Sequence, residues 1–202
     1  MKLYYSQGAC SLASHIALFE AGLTFESVPA PTKTHKLPDG TDFYTINPLG
    51  YVPVLELDDG RRLREGPAIL QYIADQVPDK GLAPANGTFE RYQLQEWLNF
   101  IATEIHKSFS PLFAPGTPAE TRTAAQARLK SRLSWVNDAL AGKQFLQGDS
   151  FSVADGYLFN VTNWAKFVAL DISEYTHLSA FRTRVAERPA VISAMRAEGL
   201  IK

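Results

Sequence analysis

The chain has one cysteine, Cys10, in 202 residues, which excludes an internal disulfide and fits a reducing compartment. Histidine is scarce as well. The four lie at positions 15, 35, 106 and 177, and no cysteine or histidine cluster has metal-ligand spacing, so no metal is expected. An excess of either charge is also missing. Twenty Lys and Arg face 21 Asp and Glu, a formal net charge of −1, which argues against a basic nucleic-acid surface. No apolar run is long enough to span a bilayer, and no internal repeat or low-complexity segment appears. Gly8-Ala9-Cys10 loosely matches a lipoprotein cleavage site, but Ser6, Gln7 and Gly8 interrupt any apolar core, so no signal peptide is expected. What remains is an ordinary globular composition, 46% hydrophobic, with room for one or two domains and a cytoplasmic setting as the expectation.

The stretch around the lone cysteine reads as strand, loop and helix. Leu3 to Tyr5 is a short apolar and aromatic run of strand type, closed by turn chemistry at Gln7-Gly8. From Ser11 on, Leu12 and Ile16, with Ala13 and Ala17 beside them, repeat at helical spacing until Gly22 stops the pattern. Cys10 therefore falls at or near the first turn of a helix, where unpaired amides and the positive dipole end favour an anion. A thiolate is an anion, so the placement predicts a lowered pKa and a reactive cysteine. The competing reading is a small buried hydrophobe.

Further along, Leu23 to Val28 predicts a second strand, and residues 30 to 50 read as a surface excursion with a short helix near Thr41 to Tyr44. Tyr51 to Leu57 is a strand, Asp58-Asp59-Gly60 a hairpin turn, and Arg61 to Arg64 the return strand. Pro53 cannot donate to a ladder, so it predicts either the start of an edge strand or a cis Val52-Pro53 bond, with the Val52 backbone free for something else. Glu65-Gly66-Pro67 opens a helix to about Gln76, with proline suited to its first position. Residues 1 to 77 thus form a small α/β domain, 78 to 88 a linker, and 89 to 202 an all-helical domain. In the latter, Phe89 to about Ser110 is one long helix with Leu94, Leu98, Ile101 and Ile105 as its apolar stripe. Thr117-Pro118-Ala119-Glu120 and Ser152-Val153-Ala154-Asp155 read as capping boxes opening two more helices, and two shorter ones follow near Ser179 to Glu187 and from Pro189 to Glu198. At about 100° per residue, Asn99, Thr103, His106 and Ser110 fall on one narrow polar face of the long helix. Such a face is either solvated or turned to a ligand pocket at the domain junction.

Taken in order, these motifs resemble a cytosolic glutathione S-transferase over the whole chain. The Val52-Pro53 turn, the Glu65-Gly66 helix start and the Ser152 to Asp155 capping box carry the resemblance. Within the family the chain is most similar to the bacterial beta class, through Cys10 in Gly8-Ala9-Cys10-Ser11-Leu12 and His106 on the first long helix of the second domain. The resemblance implies a thioredoxin-like domain with a mixed four-stranded sheet, then the helical domain. It implies glutathione as co-substrate, a small apolar electrophile or a disulfide as second substrate, and a homodimer with no membrane or nucleic-acid partner.

The same resemblance assigns roles. The cysteinyl backbone of glutathione would pair with Val52 beside Pro53 as an added strand. Its γ-glutamyl carboxylate would sit at the Glu65-Gly66 helix start, with the Glu65 side chain on the amine. Its glycyl carboxylate needs a cation. Relatives tend to have lysine at position 35, where this chain has His35 followed by Lys36, and Tyr51 stands where glutamine is common. Asn99, Thr103 and Glu104 also reach glutathione by resemblance, the dimer interface being one route. Cys10 and His106 are the implied catalytic pair at the glutathione sulfur. Either the site lowers the pKa of glutathione's thiol, or Cys10 carries glutathione as a mixed disulfide. Phe109, Leu112, Phe113 and Trp164 are the candidate wall for the second substrate. His15 is expected to be a packed structural residue, and Tyr4 and Tyr5 strand residues. The alternatives are a glutathione-dependent thiol-disulfide reductase or peroxidase, and a non-catalytic binding module on the same fold.

Overall fold

Leu3, Val54 and Leu55 are fully buried at the centre of a four-stranded sheet of order β2-β1-β3-β4. The computed structural model describes all of residues 1–202, which form two compact units, Met1–Ala83 with Arg188–Lys202, and Pro84–Glu187.

In the first unit β1 (Lys2–Tyr5) runs parallel to β2 (Glu26–Pro29), the two joined by α1 (Ser11–Ala21). β3 (Val54–Glu56) lies antiparallel to β1 with Tyr4 opposite Val54, and β4 (Arg62–Arg64) closes the other edge antiparallel to β3. The mixed sheet is the one the sequence implied. β3, however, is an interior strand, so Pro53 marks no edge. It stands just before the strand, and the Val52-Pro53 bond is cis. α1 is buried from Ser11 to Leu18 and ends at Gly22, whose φ of 68° is a left-handed cap that glycine adopts freely. A helix buried almost all round needs small side chains where neighbours approach, and Ala13, Ala17 and Ala21 provide them.

One of those neighbours is α8 (Pro189–Ala197), which packs on α1. Residues 188–202 therefore belong to the first unit, whereas the sequence reading placed them in the helical domain. Periodicity shows that a helix exists but not which core it joins. α2 (Gly66–Asp75) also packs on α1 and buries Ile69, Leu70 and Ile73.

The second unit is helical throughout. α3 (Phe89–Phe100) is capped by Thr88, whose Oγ accepts the Arg91 amide at 3.2 Å. It passes into a π-helical turn at Ile101–His106 and continues as α4 (Lys107–Phe113). The apolar stripe behaves as expected, since Leu94, Leu98, Ile101 and Ile105 are all buried. The polar stripe divides at His106. A π turn carries more residues than an α turn, so side chains after it swing off the 100° register. Asn99, Thr103 and Ser110 face solvent while His106 is half-buried. α5 (Ala119–Ala139) buries Leu129, Leu133 and Val136. Its N-terminus corrects the expected capping box: Pro118 is the cap residue, and the Thr117 hydroxyl donates back to the Ala114 carbonyl at 3.0 Å. α6 (Val153–Thr162) is buried along its whole length, a 3-10 turn follows at Asn163–Val168, and α7 (Thr176–Ala186) ends the unit. The second capping box forms as read. The Asp155 carboxylate accepts the Ser152 amide, the Ser152 hydroxyl and the Leu146 amide, each at 2.8 Å.

Candidate functional site

Cys10 is the N-cap residue of α1, and its thiol donates to the Val52 carbonyl oxygen at 3.2 Å. The two residues the sequence pairs with glutathione's cysteinyl portion are thus brought together within the first unit. Val52 lies beyond Val54, the last ladder partner on this side, so its main chain stands outside the sheet's own hydrogen bonding. The approach to it is shaped by buried Asn47, whose side-chain amide donates to the Tyr51 carbonyl at 2.7 Å and whose oxygen accepts the Leu49 amide at 3.3 Å.

The loop ending at Cys10 is tied at both ends. The Ser11 hydroxyl accepts the Ser6 amide at 3.1 Å and donates to the Ser6 carbonyl at 3.2 Å. The Gly8 amide donates to Glu198 Oε2 at 2.8 Å, from the end of α8. Glu198 in turn pairs through Oε1 with His15 Nδ1 at 3.0 Å, and His15 Nε2 lies 2.9 Å from the Ser27 hydroxyl. Both side chains of the ion pair are fully buried. His15 is therefore a packed structural residue, as the sequence reading held. Glu198 was missed, because nothing local marks an acid in a terminal helix as the partner of a histidine so far away in the chain.

Glu65 caps α2 with φ 68° and ψ 118°, a conformation that a residue with a Cβ adopts only under strain, on the order of 1–3 kcal/mol. Its carboxylate is exposed. Since Pro67 has no N–H, the Gly66 amide is the donor left at the very tip of the helix. An acid beside a free amide at a positive dipole end is suited to an amino-acid headgroup, carboxylate on the amide and ammonium on Glu65.

His35 is also in the left-handed region, φ 51°, with its ring 4.6 Å from that of Tyr44. Its Nδ1 is buried without a partner, which leaves Nε2 as the ring nitrogen able to meet a ligand. Gly50 makes the close fit possible. A Cβ there would stand 2.7 Å from Tyr44 Cε1 and 3.0 Å from His35 Cε1. Lys36 and Tyr51 are exposed.

In the second unit His106 is the last residue of the π turn. Its Nδ1 lies 2.7 Å from the Tyr157 hydroxyl on α6, and its ring stands edge-on to Trp164 at 4.9 Å. Burial, and secondarily the neighbouring positive charge of Lys107, push its pKa down from 6.5 to about 4, so the ring is neutral at pH 7. Trp164 also meets Phe109 and Phe113, each at 5.7 Å and nearly perpendicular, and Leu112 is buried beside them on α4. Phe109, Phe113 and His106 are thus gathered around the Trp164 indole, with Phe113 exposed and Leu112 buried on the same helix. Tyr157 was missed, although a tyrosine one turn into a buried helix always needs a partner for its hydroxyl.

Thr103 and Glu104 have partners within the helical unit. The Thr103 hydroxyl donates to the Asn99 carbonyl at 3.0 Å. Glu104 is held by Arg132 at 2.6 Å and by Arg128 at 2.9 Å, and these hydrogen bonds keep its carboxyl below the usual range. A cavity of about 340 Å³ lies between α4 and α5 there, lined by Thr103, Lys107, Ser108, Pro111 and Arg128 among others.

The four-stranded mixed sheet of order β2-β1-β3-β4 with its helices, followed by an all-helical unit, defines a two-domain protein of thioredoxin-like and helical parts. Two family models match the chain, the glutathione S-transferase N-terminal domain over residues 8–76 and the C-terminal domain over residues 100–189. Glutathione S-transferase GstA of Escherichia coli O157:H7 is 48% identical over 200 residues, covering 99% of this chain and 100% of that protein. Among solved structures, a ternary complex of BphK, a bacterial GST, superposes with a TM-score of 0.97 at 57% identity, covering 98% of this chain and 100% of that one. A beta class glutathione S-transferase of Sphingomonas chungbukensis superposes with a TM-score of 0.96 at 49% identity over 100% of both chains. The chain belongs to the glutathione S-transferase family and is an enzyme of its bacterial beta class. Glutathione is its thiol substrate. No helix is long and apolar enough to cross a membrane.

Proposed function

We propose that this enzyme joins glutathione to small, largely apolar electrophiles, and that Cys10 exchanges with glutathione disulfide. The observation that carries the reading is the Cys10 thiol resting on the Val52 carbonyl, the same oxygen an added peptide strand would take as acceptor. An incoming cysteinyl amide competes for that oxygen and frees the thiol as glutathione's own sulfur arrives. Glu65 and the Gly66 amide hold the γ-glutamyl end, and His35 Nε2 with Lys36 meets the glycyl carboxylate in place of the lysine common in relatives. His106 acts on the sulfur, and Phe109, Leu112, Phe113 and Trp164 receive the apolar part of the electrophile. The protein acts as a homodimer in this reading. The exposed indole of Trp135, packed on Trp97 at 5.2 Å and Phe100 at 4.7 Å, supports an apolar face for self-association.

In conjugation, glutathione thiolate attacks the electrophilic carbon and the leaving group departs with the bonding electrons. In exchange, Cys10 thiolate attacks one sulfur of glutathione disulfide, a Cys10–glutathione S–S bond forms, and glutathione thiolate leaves. The test is the intact mass of the protein after incubation with glutathione disulfide, wild type beside Cys10→Ala. A single glutathione adduct on the wild type and none on the variant is expected. An unmodified wild type that still binds glutathione would remove the exchange step and leave conjugation alone.

A further inference from the structure

We infer that Tyr157 fixes the tautomer of His106, donating its hydroxyl proton to Nδ1 so that the ring's own proton sits on Nε2. His106 then presents a hydrogen-bond donor through Nε2, and its one basic lone pair is already taken.

The geometry that leads there lies wholly within the helical unit. Tyr157 Oη and His106 Nδ1 are 2.7 Å apart, a hydrogen bond whichever of the two atoms donates, so the direction follows from their acidities. A neutral imidazole has one N–H and one lone pair, so one partner of this contact must donate. The phenol, with an ordinary pKa near 10, is a far stronger acid than a neutral imidazole N–H, and the imidazole nitrogen is a far stronger base than a phenol oxygen. The proton therefore lies between them as O–H···N. Burial keeps the ring neutral, which removes the doubly protonated form in which Nδ1 would donate.

Neither partner is loose. Tyr157 is 3% exposed and stands one turn into α6, whose start is locked by the Ser152–Asp155 box. His106 closes the π turn and is braced edge-on by Trp164 at 4.9 Å and by the Tyr157 ring at 6.0 Å. A fixed ring with a fixed proton is a preorganised donor, suited to stabilising an anion rather than removing a proton. Tyr157 is thus a positioning residue. If His106 acts on the glutathione sulfur as proposed above, its part is to hold the thiolate once formed, and only this kinetic consequence rests on that reading.

The experiment is a two-bond 1H–15N correlation spectrum of the histidine rings, in wild type, Tyr157→Phe and His106→Asn, the last assigning the His106 signals. The expected wild-type pattern is the Nε2–H tautomer, unchanged from pH 8 to pH 6. In Tyr157→Phe, which keeps the ring and its packing, the pattern should shift toward a mixture of tautomers. kcat for conjugation should fall roughly three- to tenfold, the worth of one hydrogen bond, with KM for glutathione little changed. An Nδ1–H pattern in the wild type overturns the inference, whatever the variants do. A wild-type Nε2–H pattern with full activity in His106→Asn would instead sink the catalytic reading of His106 and leave the tautomer assignment standing.

Discussion

Glu198 accepts the Gly8 amide at 2.8 Å, so the end of the last helix holds the loop that delivers Cys10 to its helix cap. Because the same carboxylate pairs with His15 and both side chains are fully buried, removing it takes away the buried partner of His15 Nδ1 together with the tie to Gly8. Leaving a buried polar group without its partner commonly costs about 1–3 kcal/mol. Glu198→Ala should lose that much in urea unfolding, and Cys10 alkylation should change its rate in the variant because the loop keeps only its Ser6–Ser11 tie. The exposed Arg61–Asp59 pair, 2.7 Å apart, is the control. Arg61→Ala should leave the urea midpoint close to that of the wild type, since water already screens such a pair.

The strain at Glu65 predicts opposing changes in stability and binding. Glycine adopts φ 68° readily, so Glu65→Gly should release part of the roughly 1–3 kcal/mol held there, less about 0.5–1 kcal/mol for the freer unfolded chain. The net is a gain of about 1 kcal/mol, read as a higher melting temperature without ligand. Glutathione affinity should fall in the same variant, because the carboxylate proposed to meet the γ-glutamyl ammonium is gone. A variant that binds as well as wild type would take Glu65 out of the headgroup site.

Local chemistry was legible in the sequence wherever it acts over a few residues. The cysteine at the first helix start, the turn before Pro53, the Ser152 box and the apolar stripe of α3 all rest on neighbours in the chain, and each stands in the structure. What the sequence hid acts over long separations or breaks a period. α8 looks like any amphipathic helix, and only three-dimensional packing assigns it to α1. The π turn breaks the period. A face drawn at 100° per residue put Asn99, Thr103 and His106 together; Asn99 and Thr103 are solvated, one of the two alternatives for that face, while His106, at the end of the widened turn, is half-buried. Glu104, picked out by resemblance, is held by two arginines of α5 that no spacing rule links to it.

Asp155 is a test of how much the helical unit depends on one cap. Its carboxylate receives two backbone amides and one hydroxyl inside the core, so Asp155→Ala leaves both amides unpaired. Hydrogen bonds to a buried charge are worth about 1.5–3 kcal/mol each, and a loss of about 3 kcal/mol or more is expected in urea unfolding. Ser152→Ala, which removes only a hydroxyl, should lose about 1 kcal/mol. Equal losses in the two variants would show that the carboxylate adds nothing beyond an ordinary cap.

The depressed pKa of His106 makes stability depend on pH in a window that can be named. Unfolded, the ring takes up its proton near pH 6.5; folded, burial withholds it until about pH 4. Between those values the unfolded chain binds more protons, so unfolding becomes easier as pH falls, and above about pH 6.5 the effect is flat. A tenfold difference in proton affinity between the two states is worth about 1.4 kcal/mol, which gives a loss of at most about 3 kcal/mol on going from roughly pH 7 to pH 4. His106 is one group among many, so the measurement is a difference. Urea unfolding of wild type and His106→Asn, from about pH 7.5 down to pH 4, should give curves that draw together as pH falls through the window. Parallel curves would show that His106 titrates in the folded protein as it does in the unfolded chain, and that burial does not withhold its proton.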